Sequence, residues 1–231
     1  MTSTKRYHKK PVVGRRPKSH GVDLDSRGAI LNAARTVFAR SGYEGASTRE
    51  VAEIARVNNA MIYYHFRDKE ALYRAVLAHS FSALDRIWEH EIFSGSASVH
   101  EKIEKYVEEF IRFQRSNDDL RRICFMEMAS CGHTCSWLGK NLFRGTYEKL
   151  SAIMQDGMRS GQLKQVDVTF AIATLIGMIV HSFVMLPVAE HVTGKKLDLS
   201  VKRFGAFVTG LFFDGLGRER NAKKRGTRRR P

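Results

Sequence analysis

The chain has 231 residues, 43% of them hydrophobic, only 4 prolines and a formal net charge of +15. Such a length buries a sizeable core and suits two modest domains, and the composition excludes a disordered or collagen-like chain. Three cysteines are too few for a disulfide framework and no signal-peptide pattern opens the sequence, so a cytoplasmic setting is expected.

The charge is concentrated at the ends. Residues 1–18 hold seven basic side chains (Lys5, Arg6, Lys9, Lys10, Arg15, Arg16, Lys18) and no acid, and residues 218–231 hold eight against Glu219 alone. The body between them is nearly neutral. Such ends attract any polyanion through counterion release, and serve equally as solubilising tails. The expected organisation is a flexible basic arm over 1–22, a first domain over 23–93, a second over 94–217 and a basic tail over 218–231.

In chain order, Asp25 or Ser26 caps a first helix whose Ile30, Ala33, Ala34, Val37 and Phe38 share one face, and Gly42 stops it. Ser47-Thr48-Arg49-Glu50 has the capping-box spacing and opens a second helix with Val51, Ala52 and Ala55 inward. Asn58 and Asn59 supply a turn before a short helix over 60–66, in which Ile62 and Phe66, four apart, both face the core. Asp68 caps a longer helix, with Leu72, Val76 and Ala83 on its buried side, that runs to about residue 93; 94–98 is loop-like. Further helices are predicted over 100–115, 120–129, 137–160, 166–190 and 200–215. No strand alternation or repeat is present. The expected fold class is all-α: a three-helix N-terminal domain with a helix-turn-helix, followed by a larger helical domain.

A helix, a tight turn and a second short helix form a unit whose second member fits the major groove. With Ile62 and Phe66 turned inward, Asn59, Ala60, Met61, Tyr64 and His65 are left for the groove. Asn pairs bidentately with adenine, and Met or Ala packs on a thymine methyl. Thr48 and Arg49 can reach a phosphate or, through Arg49, a guanine edge; Tyr63 and Lys69 suit the sugar-phosphate backbone. Tyr63 serves equally as a core aromatic, and His65 equally as packing beneath the turn. Arg15, Arg16 and Lys18 are placed like a minor-groove arm, or form a plain tail.

The run from Ser47 to Leu72 (STREVAEIARVNNAMIYYHFRDKEAL) and the preceding 30–43 (ILNAARTVFARSGY) closely resemble the N-terminal domain of the tetracycline-repressor-like, TetR family. The resemblance implies an all-α homodimer, double-stranded DNA with a two-fold symmetric operator as partner, and a C-terminal domain whose small-molecule effector loosens DNA binding. Thr48, Arg49, Asn59, Met61, Tyr63, Tyr64, His65 and Lys69 match the family's DNA-contacting places. Arg56 stands where the family usually has a turn glycine, a left-handed position costing another residue about 1 kcal/mol. Ala60 and Met61 replace the commoner Gly and Thr, so no base preference carries over.

In the second half, Phe110, Phe113, Met126, Glu127, Trp137, Met154, Met158, Met178 and His181 are the candidates for an effector pocket. Met and aromatic side chains adapt to an apolar ligand, and equally fill a core. Glu127 and His181 are the candidate specificity groups. The stretch 170–189 is apolar enough to raise a membrane span, yet Thr174, His181, Ser182 and Pro187 favour a helix buried against its own subunit and a partner. Helices over 166–190 and 200–215, the second with the small residues Gly205, Ala206, Thr209 and Gly210, are the expected dimer interface, and no membrane partner is expected.

Cys131, His133 and Cys135 put three soft ligands within five residues, which makes a thiol- or metal-responsive sensor an alternative, although the spacing is not that of a zinc ribbon or finger. A sequence-blind architectural DNA coater driven by the tails is the other alternative. No catalytic set, metal site or cofactor motif is evident, so a regulator rather than an enzyme is expected.

Overall fold

The computed structural model describes residues 20–93, 96–129 and 134–216, without side chains for residues 20–25, 83, 90, 91 and 93. It contains α1 (His20–Gly45), α2 (Thr48–Ala55), α3 (Asn59–His65), α4 (Lys69–Ile87), α5 (Val99–Ser116), α6 (Asp118–Ala129), α7 (Cys135–Leu138), α8 (Arg144–Arg159), α9 (Val168–Thr193) and α10 (Val201–Leu216). Among the described residues there is no strand, and the fold is all-α as the periodicity predicts.

Gly42 breaks α1 as expected: its φ of 68° and ψ of −178° lie outside helical geometry, and a last turn follows to Gly45. The N-terminal end differs. α1 begins at His20, inside the segment read as arm. The rest of the basic arm, including Arg15, Arg16 and Lys18, lies outside the described residues, as does the tail beyond residue 216.

The capping box expected at Ser47 and Glu50 does not form. Ser47 is the N-cap by backbone geometry but makes no side-chain cap bond, and the Glu50 carboxylate that would reach back to it is taken by the Arg40 guanidinium on α1. A complete box forms instead at α5, where Ser98 accepts from the Glu101 amide and Glu101 accepts from the Ser98 amide at 2.8 Å. The predicted helix over 137–160 is three pieces, α7, a π-helical turn over Gly139–Phe143, and α8.

α1, α2 and α3 close a small core around Ile30, Val37, Phe38, Val51 and Ile62, all 1% exposed or less. α4 leaves that core and enters the next. Leu72 and Val76 pack into the first bundle, while Leu84 and, on the π-helical turn Trp88–Phe93 that extends the helix, Trp88 and Ile92 pack with α5. α5 is the central post of the second bundle, contacting α8, α9 and α10. Gly157 on α8 is there for close approach, since a Cβ would come within 3.0 Å of Leu163 and Val99 side-chain atoms.

α1 also packs on α6, which ties the two bundles together beside α4. A polar knot fixes this junction. The buried Glu127 carboxyl on α6 accepts from the Tyr73 hydroxyl on α4 at 3.1 Å and from the backbone amide of Thr134. Burial, then the charge and hydrogen bond of Glu127, hold the Tyr73 phenol above its ordinary range, so it remains a donor. Replacing Glu127 by Ala orphans two buried donors. E127A should cost about 3 kcal/mol of unfolding free energy by urea titration, and E127Q, which keeps one acceptor, clearly less.

Candidate nucleic-acid interface and effector cavity

The turn between α2 and α3 is built from three local devices. Arg56 adopts φ 55° and ψ 40°, the left-handed conformation that ends α2, and is the only non-glycine residue with positive φ among those described. Val57 then donates to the Ala52 carbonyl at 3.0 Å, closing the turn. Asn58 caps α3 through its side chain, accepting from the Ala60 amide at 2.9 Å. Beyond α3, Asp68 caps α4, accepting from Ala71 at 2.7 Å. Ile62 and Phe66 anchor the back of α3 in the core as predicted, each contributing about 1.5–3 kcal/mol by burial.

The opposite edge of α3 is open. Tyr63 and Tyr64 are 52% and 68% exposed, Ala60 is exposed, and Met61 is half-buried with its stem against the core. Thr48 at the start of α2 meets the Tyr63 hydroxyl at 3.3 Å, placing the first turn of α2 beside the same edge. Arg49 is exposed there. Three residues are less open. His65 is half-buried, its Nε2 2.8 Å from the Ser26 hydroxyl of α1. Lys69 donates to the Glu44 carbonyl at 3.1 Å and lies 4.7 Å from the centre of the Tyr43 ring. Asn59 is half-buried with its Oδ1 turned inside, hydrogen-bonded to nothing among the described residues.

The second bundle encloses a cavity of about 320 Å³. Its wall is aromatic: Phe81 and Trp88 from α4 and its extension, Tyr106, Phe110 and Phe113 from α5, Phe143 ahead of α8 and Tyr147 on α8. The rings pack on one another, Phe81 lying 5.4 Å from Phe143 and 5.5 Å from Phe113, and Trp88 4.8 Å from Tyr106. α9 adds Ile172, Ile176 and Val180, spaced four apart. Polar groups are few. Tyr147 and Thr169 hydrogen bond to each other at 2.8 Å, and Asp85, Gln114, Arg121 and Thr146 complete the lining. The Trp88 indole N–H is buried with no partner among the described residues, a donor open to a ligand acceptor.

Of the residues proposed from sequence for an effector pocket, Phe110 and Phe113 line this cavity. Met126 and Glu127 share α6 with the lining residues Cys124 and Met128, but the helical turn sends Met126 toward Gly42 of α1 and Glu127 into the polar knot. Trp137 lies under the Arg74 guanidinium at 5.4 Å, and Met154 and Met158 are buried in the core. Met178 faces a surface groove with Phe170, Leu211 and Phe212, and His181 is exposed. Sequence reasoning missed Phe81, Asp85, Trp88, Tyr106 and Arg121. The seven-residue spacing of Phe81 on α4 and Trp88 on its π-helical extension was the one readable signal.

Cys131 and His133 lie outside the described residues, and Cys135 is half-buried. Cys124 lines the cavity, but burial, aided by Glu127, pushes its thiol up to about 12, which leaves it a poor nucleophile.

Comparison with known proteins accounts for both bundles. Residues 30–76 match the family described as bacterial regulatory proteins, tetR family, and residues 96–183 match the tetracyclin repressor-like C-terminal domain. The chain belongs to the tetR family of transcriptional regulators. The two matches together span more than half of it. The HTH-type transcriptional regulator RutR of Escherichia coli K12 is 28% identical over 171 residues, 73% of this chain and 79% of RutR. The repressor AcnR of Corynebacterium efficiens is 43% identical over 53 residues, 23% of this chain and 28% of AcnR. Among solved structures, the Bacillus subtilis regulator FadR in complex with stearoyl-CoA superposes with a TM-score of 0.67 at 22% identity, over 81% of this chain and 98% of that one. Neither the thiol or metal sensor nor the architectural coater finds support among these relatives.

As a member of this family the chain binds DNA, and the caps that pre-form α3 carry a measurable load. N58A removes the only side-chain cap of a helix seven residues long. It should lower stability by about 1 kcal/mol and weaken DNA binding measured by fluorescence anisotropy.

Proposed function

We propose that this regulator is a homodimeric repressor that holds a two-fold symmetric operator through the exposed edge of α3 and releases it when an apolar effector fills the aromatic cavity. The observation that carries this reading is the path of α4. One helix of 19 residues, about 28 Å long, starts at the cap beneath α3 and ends with Phe81 and Asp85 in the cavity wall. A ligand that displaces the Phe81 end levers the Asp68 end, and with it the recognition helix. Release follows if the effector binds the lever's displaced state more tightly.

Dimerisation is supported by the outer faces of α9 and α10. Phe170, Val188, Phe207 and Leu211 are each more than half exposed, at 74%, 52%, 64% and 53%. α9 is long and apolar enough to cross a membrane, and 28% of its most apolar window is buried within the chain. A second copy would cover that face as a four-helix interface and set two reading heads one helical turn apart, roughly 34–36 Å, or a multiple of it. The effector is proposed to be apolar because the cavity wall is; FadR, of like fold, is seen with stearoyl-CoA. The proposed site of action is the cytoplasm, at the nucleoid.

The test is selection of bound sites from random DNA by the full chain, followed by gel shift. A palindromic site should emerge. Double substitution of Met61 and Tyr64 by Ala should reduce its preference over unrelated DNA by at least about tenfold, while sedimentation still shows a dimer. Selection of no common site, or an unchanged preference in the double variant, would refute the reading.

A further inference from the structure

The charges around the cavity are unequal in one respect: its cations are held in ion pairs with acids other than the one in its wall. Arg121 reaches the lining from α6, but its guanidinium is held by Asp118, donates to the Gln114 carbonyl at 2.7 Å and sits 5.2 Å from the centre of the Phe183 ring. Lys149, the other cation at this end, is paired with Glu89. Asp85 lines the cavity, and the one cation acting on it, Lys149, is itself taken by Glu89. It stands exposed at the rim, one turn from Phe81 and one from Trp88 on the same helical stripe, so an acid is bracketed by two rings.

We propose that the cavity selects a lipophilic cation: an amphiphile whose alkyl or aryl body fills the aromatic chamber while its ammonium group stands against Asp85 and the Trp88 face. The inference rests on the cavity being the effector site. Three physical terms favour it. The faces of Phe81, Trp88, Tyr106 and Phe110 attract a cation through their quadrupoles, most strongly where water is thinned. The Asp85 carboxylate, matched only by a Lys149 that Glu89 already holds, supplies a charge that a neutral ligand would leave unused. Partial burial, with Glu89 adding to it and Lys149 opposing, raises the Asp85 pKa, so its charged form is short of solvation that a bound cation would restore. An anionic amphiphile meets the opposite: it must displace Asp118 from Arg121 and face Asp85 unshielded.

Calorimetric titration of the full chain with three probes of equal tail, decyltrimethylammonium, decanol and decanoate, separates the possibilities, with wild type and D85N compared. Decyltrimethylammonium should bind at least tenfold more tightly than either other probe. D85N, a near-isosteric change at an exposed rim position, should erase that advantage and leave decanol affinity within twofold; an unchanged melting temperature confirms folding. Decanol or decanoate matching the cation in wild type, or D85N retaining the cation's advantage, overturns the inference and leaves the cavity as an apolar effector site. Failure of all three probes to bind overturns both the inference and the cavity's assignment.

Discussion

α4 places one apolar stripe in two cores at once. Leu72 and Val76, 0% and 1% exposed, close the bundle that presents α3, and Leu84 and Trp88, 1% and 6% exposed, close the bundle that holds the cavity. Neither end can move without disturbing packing at the other, because interiors at crystal-like density transmit displacement rather than absorb it. The helix is well fixed at its start by the Asp68 cap, and it passes into a π-helical turn at Trp88. Such turns are costlier than α-helix and are found where function needs them. Here the turn falls beside the cavity wall, so the least regular backbone on the lever lies where a ligand would act.

The junction beside α4 decides how the lever can pivot. Tyr73 lies one residue from Leu72 and is buried, its ring 4.8 Å from Phe38 of α1 in an edge-on pair and its hydroxyl on Glu127 of α6. α1, α4 and α6 therefore meet at one side chain. Apolar contacts tolerate sliding, but a buried carboxyl with two donors loses a hydrogen bond as soon as it moves. The knot is a natural fulcrum: the ends of α4 can tilt about it at less cost than the middle can shift.

The reading head was legible because its determinants are local. Asn58, Asp68, Ile62 and Phe66 act within a few residues of themselves, and the glycine-like demand at position 56 is met by Arg56 in the left-handed conformation that the resemblance implied. Where a long-range partner intervened, local reasoning failed. Ser47 and Glu50 have the spacing of a capping box, but Arg40 from another helix claims the carboxylate, while the box at Ser98 and Glu101 forms where the stretch read as loop meets the helix read from residue 100. The cavity was the least legible feature. Its wall is set by the meeting of α4, α5, α6, α8 and α9, and a Met on α6 faces the cavity or the first bundle according to a rotation that sequence spacing alone does not orient, as Met126 and Met128 show.

α9 links the two properties that a regulator of this kind must couple. Ile172, Ile176 and Val180 form the stripe that walls the cavity, and Phe170 and Val188, eighteen residues apart and so nearly in register on a 3.6-residue helix, lie on a different stripe that stays exposed. On the proposed reading, a ligand pressing on the first stripe would push the second outward. If the exposed stripe is the dimer face, cavity occupancy alters the angle between subunits as well as the tilt of α4 within each, and the two displacements act on the same quantity, the distance between recognition helices. A rigid DNA repeat would read small changes in that distance as a large loss of fit, and on the proposed reading this is how the cavity would govern what α3 holds.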